Sequence, residues 1–215
     1  MYYTTNKMQN FQIFLQQKGY YTGKIDGIIG PQTLTAAQNF INAYALNKNW
    51  KQPQTEFVWL RLTQNFDNRF SDICVRFNNG IVDMIMNCST RAGNFYVYNP
   101  LTVGGVTGTA VATEQQVLNS HKFISSGTWS TLWLGAPYFF QSGAIEIYRD
   151  GNKDNVINRV TKQIGHFGIN FHRAGIGSAV DNWSAGCMVV PDARWFEAIK
   201  IFKANQLTNF TLIEI

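Results

Sequence analysis

The sequence predicts an α+β protein, in which a small helical module precedes a larger, mainly β domain with one late helix. Three observations carry this. Apolar residues recur at helical spacing in the first segment, between residues 8 and 46. From about residue 57 the apolar runs shorten and are bounded by turn residues, as strands are. Helical spacing then returns between Pro191 and Phe202.

Taken in order, Met8, Phe11, Phe14 and Leu15 predict an amphipathic helix following an Asn6 or Thr5 cap. Lys18 to Pro31 is dense in glycine and turn residues, and Pro31 opens a second helix with Leu34, Ala37, Ile41 and Tyr44 on one face. The polar run from 47 to 56, with one proline, reads as a linker, and the expected organisation is a module over 1–50, a linker over 51–64 and a domain over 65–215. In that domain, Ile73–Phe77, an Asn78-Asn79-Gly80 turn and Ile81–Met86 predict a hairpin. Phe95–Tyr98, Leu132–Leu134, Tyr138–Phe140 and Ala144–Tyr148 are further strand candidates, and Arg149–Asp154 is a polar turn. Gly168–His172 is expected as a strand ending at the histidine, Pro191–Phe202 as the helix, and Phe210–Ile215 as a buried terminal strand.

With 45% apolar and 14% charged residues, the 215-residue chain is globular, not disordered. The net charge of +5 comes from scattered basic residues, which suits nucleic acid or the anionic polymers of a bacterial envelope without choosing between them. Cys74, Cys88 and Cys187 are odd in number and lack metal-type spacing, so a free thiol is expected instead of a disulfide framework. Met1 to Lys7 has no basic region followed by an apolar core, and no apolar run has the length of a membrane span. Synthesis in the cytoplasm without a signal peptide is therefore the expectation, any target in the wall being reached by release or injection.

The chemistry concentrates between residues 168 and 188. His172 precedes Cys187 by fifteen positions, and Ser184-Ala185-Gly186 leads into the cysteine. A cysteine nucleophile needs a base for its proton and backbone amides for the oxyanion, and glycine lets a backbone approach a substrate closely. The segment therefore reads as a cysteine acyl-transfer site, beside the plainer reading of a buried free thiol.

Two resemblances give this site a substrate. Leu15 to Phe40, with Asp26-Gly27 and Gly30-Pro31, resembles the peptidoglycan-binding domain 1 family, which implies a three-helix module that attaches enzymes to peptidoglycan. Residues from about 65 to 205 resemble the L,D-transpeptidase (YkuD-like) catalytic domain, whose signature is a histidine followed by a Ser-His-Gly-Cys turn. The matching positions are His172 and Ser184-Ala185-Gly186-Cys187. A subgroup from phages and some bacteria is matched through Cys88–Gly93, Asn99-Pro100, Arg149–Asp154 and Phe171-His172-Arg173.

The resemblance implies Cys187 as nucleophile, His172 as base oriented by a backbone carbonyl near Arg173, and the Gly186 and Cys187 amides as oxyanion hole. Arg173 either grips a stem-peptide carboxylate or forms an ion pair with a nearby Asp. Ser184 is expected to support the turn, and Trp183 to pack or to stack on substrate. Ala185 stands where the family has a second histidine, and Met188-Val189 replaces the usual basic residue after the cysteine. These departures alter the acceptor side, so the expected activity is a peptidoglycan stem-peptide hydrolase: an L,D-carboxypeptidase or L,D-endopeptidase, in a phage endolysin or a secreted wall effector. The alternatives are an L,D-transpeptidase and a non-catalytic wall-binding protein. A monomer acting on peptidoglycan is expected, with no cofactor, metal, nucleic acid or membrane insertion. A zinc peptidase is the rival, but His166 and His172 form no zinc-binding pattern. His166 is expected at a rim or in the core, and His121 in a polar loop.

Overall fold

Two helices account for the N-terminal periodicity. The computed structural model describes residues 2–125, 135–175 and 177–215. α1 (Tyr2–Gln17) begins earlier than the Asn6 or Thr5 cap implied, and α2 (Pro31–Asn47) opens at Pro31 as expected. No third helix lies between or after them within residues 2–50. The turn-rich segment is instead pinned by one buried side chain, Gln12. Its Oε1 accepts from the Asp26 and Gly27 amides at 3.0 and 2.7 Å, and its Nε2 donates to Ile28 O at 3.0 Å. A loop folded on a side chain in this way satisfies its backbone without becoming helical.

Residues 51–64, expected as a linker, contain β1 (Glu56–Arg61), a strand buried on both faces. Phe57 and Trp59 enter one core, while Val58 and Leu60 enter a second core shared with Met8, Phe11 and Leu15 of α1 and Ala36, Ala37 and Ile41 of α2. A short strand covered on both sides reads as a continuous apolar run with no alternation, and the polar segment before it obscured where it began. The helices thus pack directly on the sheet.

β1 pairs antiparallel with β2 (Asp72–Asn78), and β2 with β3 (Ile81–Cys88). The β2–β3 turn has Asn79 at φ 51° and Gly80 at φ 80°, the two left-handed positions that a tight hairpin requires. Phe95–Tyr98, expected as a strand, is instead the short helix α3 (Asn94–Tyr98), of which Val97 is buried. Next come β4 (Thr102–Val103), β5 (Val106–Thr107), β6 (Thr109–Ala112) and β7 (Gln115–Ile124). The candidate at Leu132–Leu134 lies outside the described residues. The strand candidates at 138–140 and 144–148 are β8 (Tyr138–Gln141) and β9 (Ile145–Asp150), so Arg149 and Asp150 close a strand instead of opening a turn. β10 (Lys162–Gly165), β11 (Phe171–Arg173), β12 (Met188–Val190), α4 (Asp192–Ala198) and β13 (Leu207–Glu214) complete the chain.

Eight strands form one sheet in the order β12-β11-β8-β7-β13-β1-β2-β3, with β6, β9 and β10 in a second. The two edges of the large sheet meet where Ser89 and Val189 exchange hydrogen bonds of 2.8 and 2.9 Å, so the sheet curls to closure. Its interior holds Phe57, Trp59, Phe139, Phe171, Phe210 and Leu212. Trp195 and Ala198 of α4 join that core, with the Trp195 indole donating to Pro137 O at 2.8 Å. Each large side chain so buried is worth about 1.5–3 kcal/mol. Among the described residues the protein is mainly β with four helices, and no helix is long and apolar enough to cross a membrane.

Candidate active site

Strand alternation explains how the thiol and the imidazole come together. β11 and β12 are parallel, with Phe171 opposite Met188 and His172 opposite Val189. Phe171 and Met188 point into the barrel core. Their neighbours in sequence, Asn170 and His172 on one strand and Cys187 on the other, therefore face outward. All three line a cleft of about 460 Å³ between the barrel wall and the smaller sheet. Tyr96, Leu101 and Val103 from the α3–β4 region form apolar wall, as do Phe167 and Trp183.

The thiol is held from two sides. The Asn170 N–H donates to Cys187 Sγ at 3.4 Å, and the thiol donates to Gly168 O at 3.3 Å. Burial pushes the Cys187 thiol up to about 11, an effect the Asn170 amide only partly offsets. His172 Nδ1 lies 2.7 Å from Arg173 O. Because a carbonyl only accepts, Nδ1 carries the proton and Nε2 the lone pair. Burial lowers His172 to about 4, and the Arg173 charge adds to that. Both shifts run against the ion pair, since burial raises the thiol and lowers the imidazole. Burial thus favours a neutral thiol and a neutral imidazole at rest.

Ser184 Oγ accepts from the Gly186 N–H at 3.1 Å and donates to Cys187 O at 2.9 Å, a turn-supporting role. The Gly186 amide, expected in the oxyanion hole, is thereby engaged within the turn. Gly186 itself is demanded by space and conformation: its φ is 133°, and a Cβ there would lie 2.4 Å from Ala110 O. Trp183 both lines the cleft and packs against the small core of Phe70, Ala174 and Val180. Ala185 lines the cleft, whereas Met188 is part of the barrel core. Arg173 is not among the cleft-lining residues. It falls on the Phe171 side of β11, with its guanidinium 5.9 Å from the Phe196 ring centre. His166 is exposed, and among the described residues no three His, Cys, Asp or Glu side chains converge as a metal site would require.

Three contributors escaped the sequence reading. Gln141, buried at the end of β8, accepts from the Phe167 and Ile169 amides at 3.0 and 2.9 Å and donates to Gly165 O at 2.9 Å. That set of bonds folds residues 165–169 so that the Gly168 carbonyl meets the thiol. Asn170 Oδ1 accepts from the Gln141 amide at 2.8 Å and fixes the strand that carries the base. His121, expected in a polar loop, is fully buried in β7, stacked 3.9 Å from the Phe171 ring, and donates from Nε2 to Ile169 O at 2.8 Å. Burial lowers it to about 3, so it is a neutral strut behind the cleft.

The Cys88–Gly93 segment braces the nucleophile turn. Besides the Ser89–Val189 bridge, Gly93 N–H donates to Ser184 O at 3.0 Å. The segment is held by a buried network in which Asp72 accepts from Thr90 N, Thr90 Oγ1 and Arg91 Nε at 2.9, 2.7 and 3.2 Å. Each buried charge there has a partner, as burial demands.

The fold and site thus define a mainly β protein whose Cys187 thiol and His172 imidazole line the same apolar cleft. No family model and no curated protein matches the chain. Among solved structures it is similar to the L,D-transpeptidase (residues 123–326) from Xylanimonas cellulosilytica DSM 15894. That likeness has 16% identity and a TM-score of 0.35, over 96% of this chain and 92% of the other. A likeness of that size carries no argument about activity, and the functional argument rests on the chain's own residues.

Proposed function

We propose that this chain is a cysteine-dependent peptidoglycan peptidase that cleaves stem peptides through a thioester at Cys187. The observation that carries the reading is the convergence of Cys187 and His172 on one outward face of adjacent strands, inside one cleft. The sequence resemblances supply the substrate, and residues 1–50 would attach the enzyme to the wall.

Cys187 Sγ attacks the carbonyl carbon while its proton passes to His172 Nε2, in one step because the separate ion pair is costly. The Cys187 N–H receives the oxyanion. Collapse expels the amine, which takes the proton from His172, and leaves the thioester. His172 then deprotonates water, which attacks the thioester carbon, and the thiolate leaves and regains its proton from His172. Ala185 puts a methyl group in the cleft where the resembling family carries a second imidazole, which supports water as acceptor and so hydrolysis over transpeptidation. The product would define an L,D-carboxypeptidase or an L,D-endopeptidase, within an endolysin or a secreted wall-directed effector.

Iodoacetamide and the Cys187→Ala change should each abolish turnover of purified muropeptides, while EDTA leaves it unchanged. Activity that survives thiol loss and disappears with EDTA would refute the cysteine mechanism in favour of a metal peptidase.

A further inference from the structure

Arg149 stands out among the cleft residues because it is the only charged side chain lining the cleft among the described residues, apart from the neutral His172. It lies on the face of β9 that carries Ile145 and Ile147, and it is 94% buried, its exposure being 6%. Its Nε donates to Gln163 Oε1 at 2.9 Å and its Nη1 to Gly108 O at 3.1 Å. The guanidinium sits 5.0 Å from the Phe167 ring centre. Nη2 is buried and has no acceptor among the described residues.

Among the described residues no carboxylate pairs with the charge. The adjacent Asp150 is committed to its own turn, accepting from the Asn152 and Asn158 amides at 3.3 and 2.6 Å. Glu146, three residues back on the opposite face of β9, pairs with Lys162 at 2.9 Å. A buried guanidinium with an unused nitrogen and no counter-ion is costly, and such an orphan calls for a partner the chain does not supply. The neutral ligands already in place, an amide oxygen and a carbonyl, fix the fork without cancelling its charge.

We propose that Arg149 receives a carboxylate of the bound peptide and so sets both the substrate class, an anionic peptide, and its orientation across Cys187. This extends the peptidase reading by assigning its specificity residue, and it rests on that reading for the identity of the peptide. The role expected of Arg173 then falls to Arg149, which lines the cleft as Arg173 does not. The carboxylate is either the peptide's C-terminal one or an internal one, and the two are separable by amidation.

The test uses the full chain carrying Cys187→Ala, so that binding is measured without turnover. A stem tetrapeptide, its C-terminal amide and its internal-carboxylate amide are titrated by calorimetry against this protein with Arg149, R149K or R149Q. Loss of one charge-assisted bond weakens binding about 10- to 100-fold. One of the two amides should bind that much more weakly than the free acid, which identifies the carboxylate. R149Q should bind all three peptides alike, at the level of the weak amide, with R149K between. The inference is overturned if both amides bind as the acid does, if R149Q still discriminates, or if no peptide binds. Should R149Q fail to fold, the amide comparison on the Arg149 protein decides alone. A protein that discriminates the acid but whose Cys187 form hydrolyses nothing keeps the Arg149 assignment and removes the peptidase reading. Hydrolysis without discrimination does the reverse.

Discussion

The resting protonation state of Cys187 is open to direct titration with iodoacetamide. With the thiol at about 11, its thiolate fraction at pH 7 is ~10⁻⁴, against ~3 × 10⁻² for an ordinary cysteine near 8.5. The more basic thiolate is also the stronger nucleophile, with a Brønsted slope of about 0.4–0.5, which recovers roughly tenfold of that ~300-fold deficit. Alkylation at pH 7 should therefore run roughly 20- to 30-fold slower than that of free cysteine, and should rise about tenfold per pH unit up to pH 10. Cys74 and Cys88 are fully buried with thiols pushed well up, so the labelling in the folded protein reports Cys187, as mass spectrometry of the modified peptide would verify. A preformed thiolate–imidazolium pair behaves differently. Its rate would be flat from about pH 5 to 9, and His172→Ala would reduce it by orders of magnitude. A flat profile of that kind would refute the neutral-pair argument and the concerted proton transfer built on it.

Two further outcomes follow from the same geometry. Gly186→Ala forces a side chain into a backbone conformation costing ~1–3 kcal/mol and drives a methyl group onto Ala110 O, so turnover should be lost and the melting temperature lowered. An alanine variant with unchanged melting and turnover would show that the turn is not held as described. His121 and His172 are both depressed below the unfolded value near 6.5, so the unfolded chain takes up their protons first. Their contribution is complete above about pH 6.5, declines below it and is fully lost once pH has passed about 4 for His172 and about 3 for His121, so a loss on the order of a few kcal/mol should be present by pH 4.5. Urea melts at pH 7, 5.5 and 4.5 would reveal the loss, and equal stability at all three would contradict it.

What could be read in the sequence was what depends on neighbours in the chain. The Asn79-Gly80 hairpin, the Pro31 helix start and the terminal strand are set by local conformation and apolar pattern, and they were legible. Phe95–Tyr98 was misread because a run of aromatics carries no period, and Val97 alone of its side chains is buried there. The Cys187 and His172 positions were legible as residue types, but Gln141 and Asn170 were not. Their work lies in bonds to backbone amides more than twenty residues away or across a strand pair, and nothing local marks a glutamine as the support of a distant loop. Arg173 carried a usable signal that went unread: with His172 on the cleft face, alternation sends the next residue to the other side.

The most direct test of the peptidase assignment is mass spectrometry of purified sacculi incubated with the protein and, in parallel, with its Cys187→Ala form. Stem peptides shortened by a terminal residue, or cross-linked dimers split to monomers, are expected with the active protein only. New cross-linked dimers would contradict hydrolysis, and identical muropeptide profiles from the two proteins would contradict Cys187 catalysis altogether.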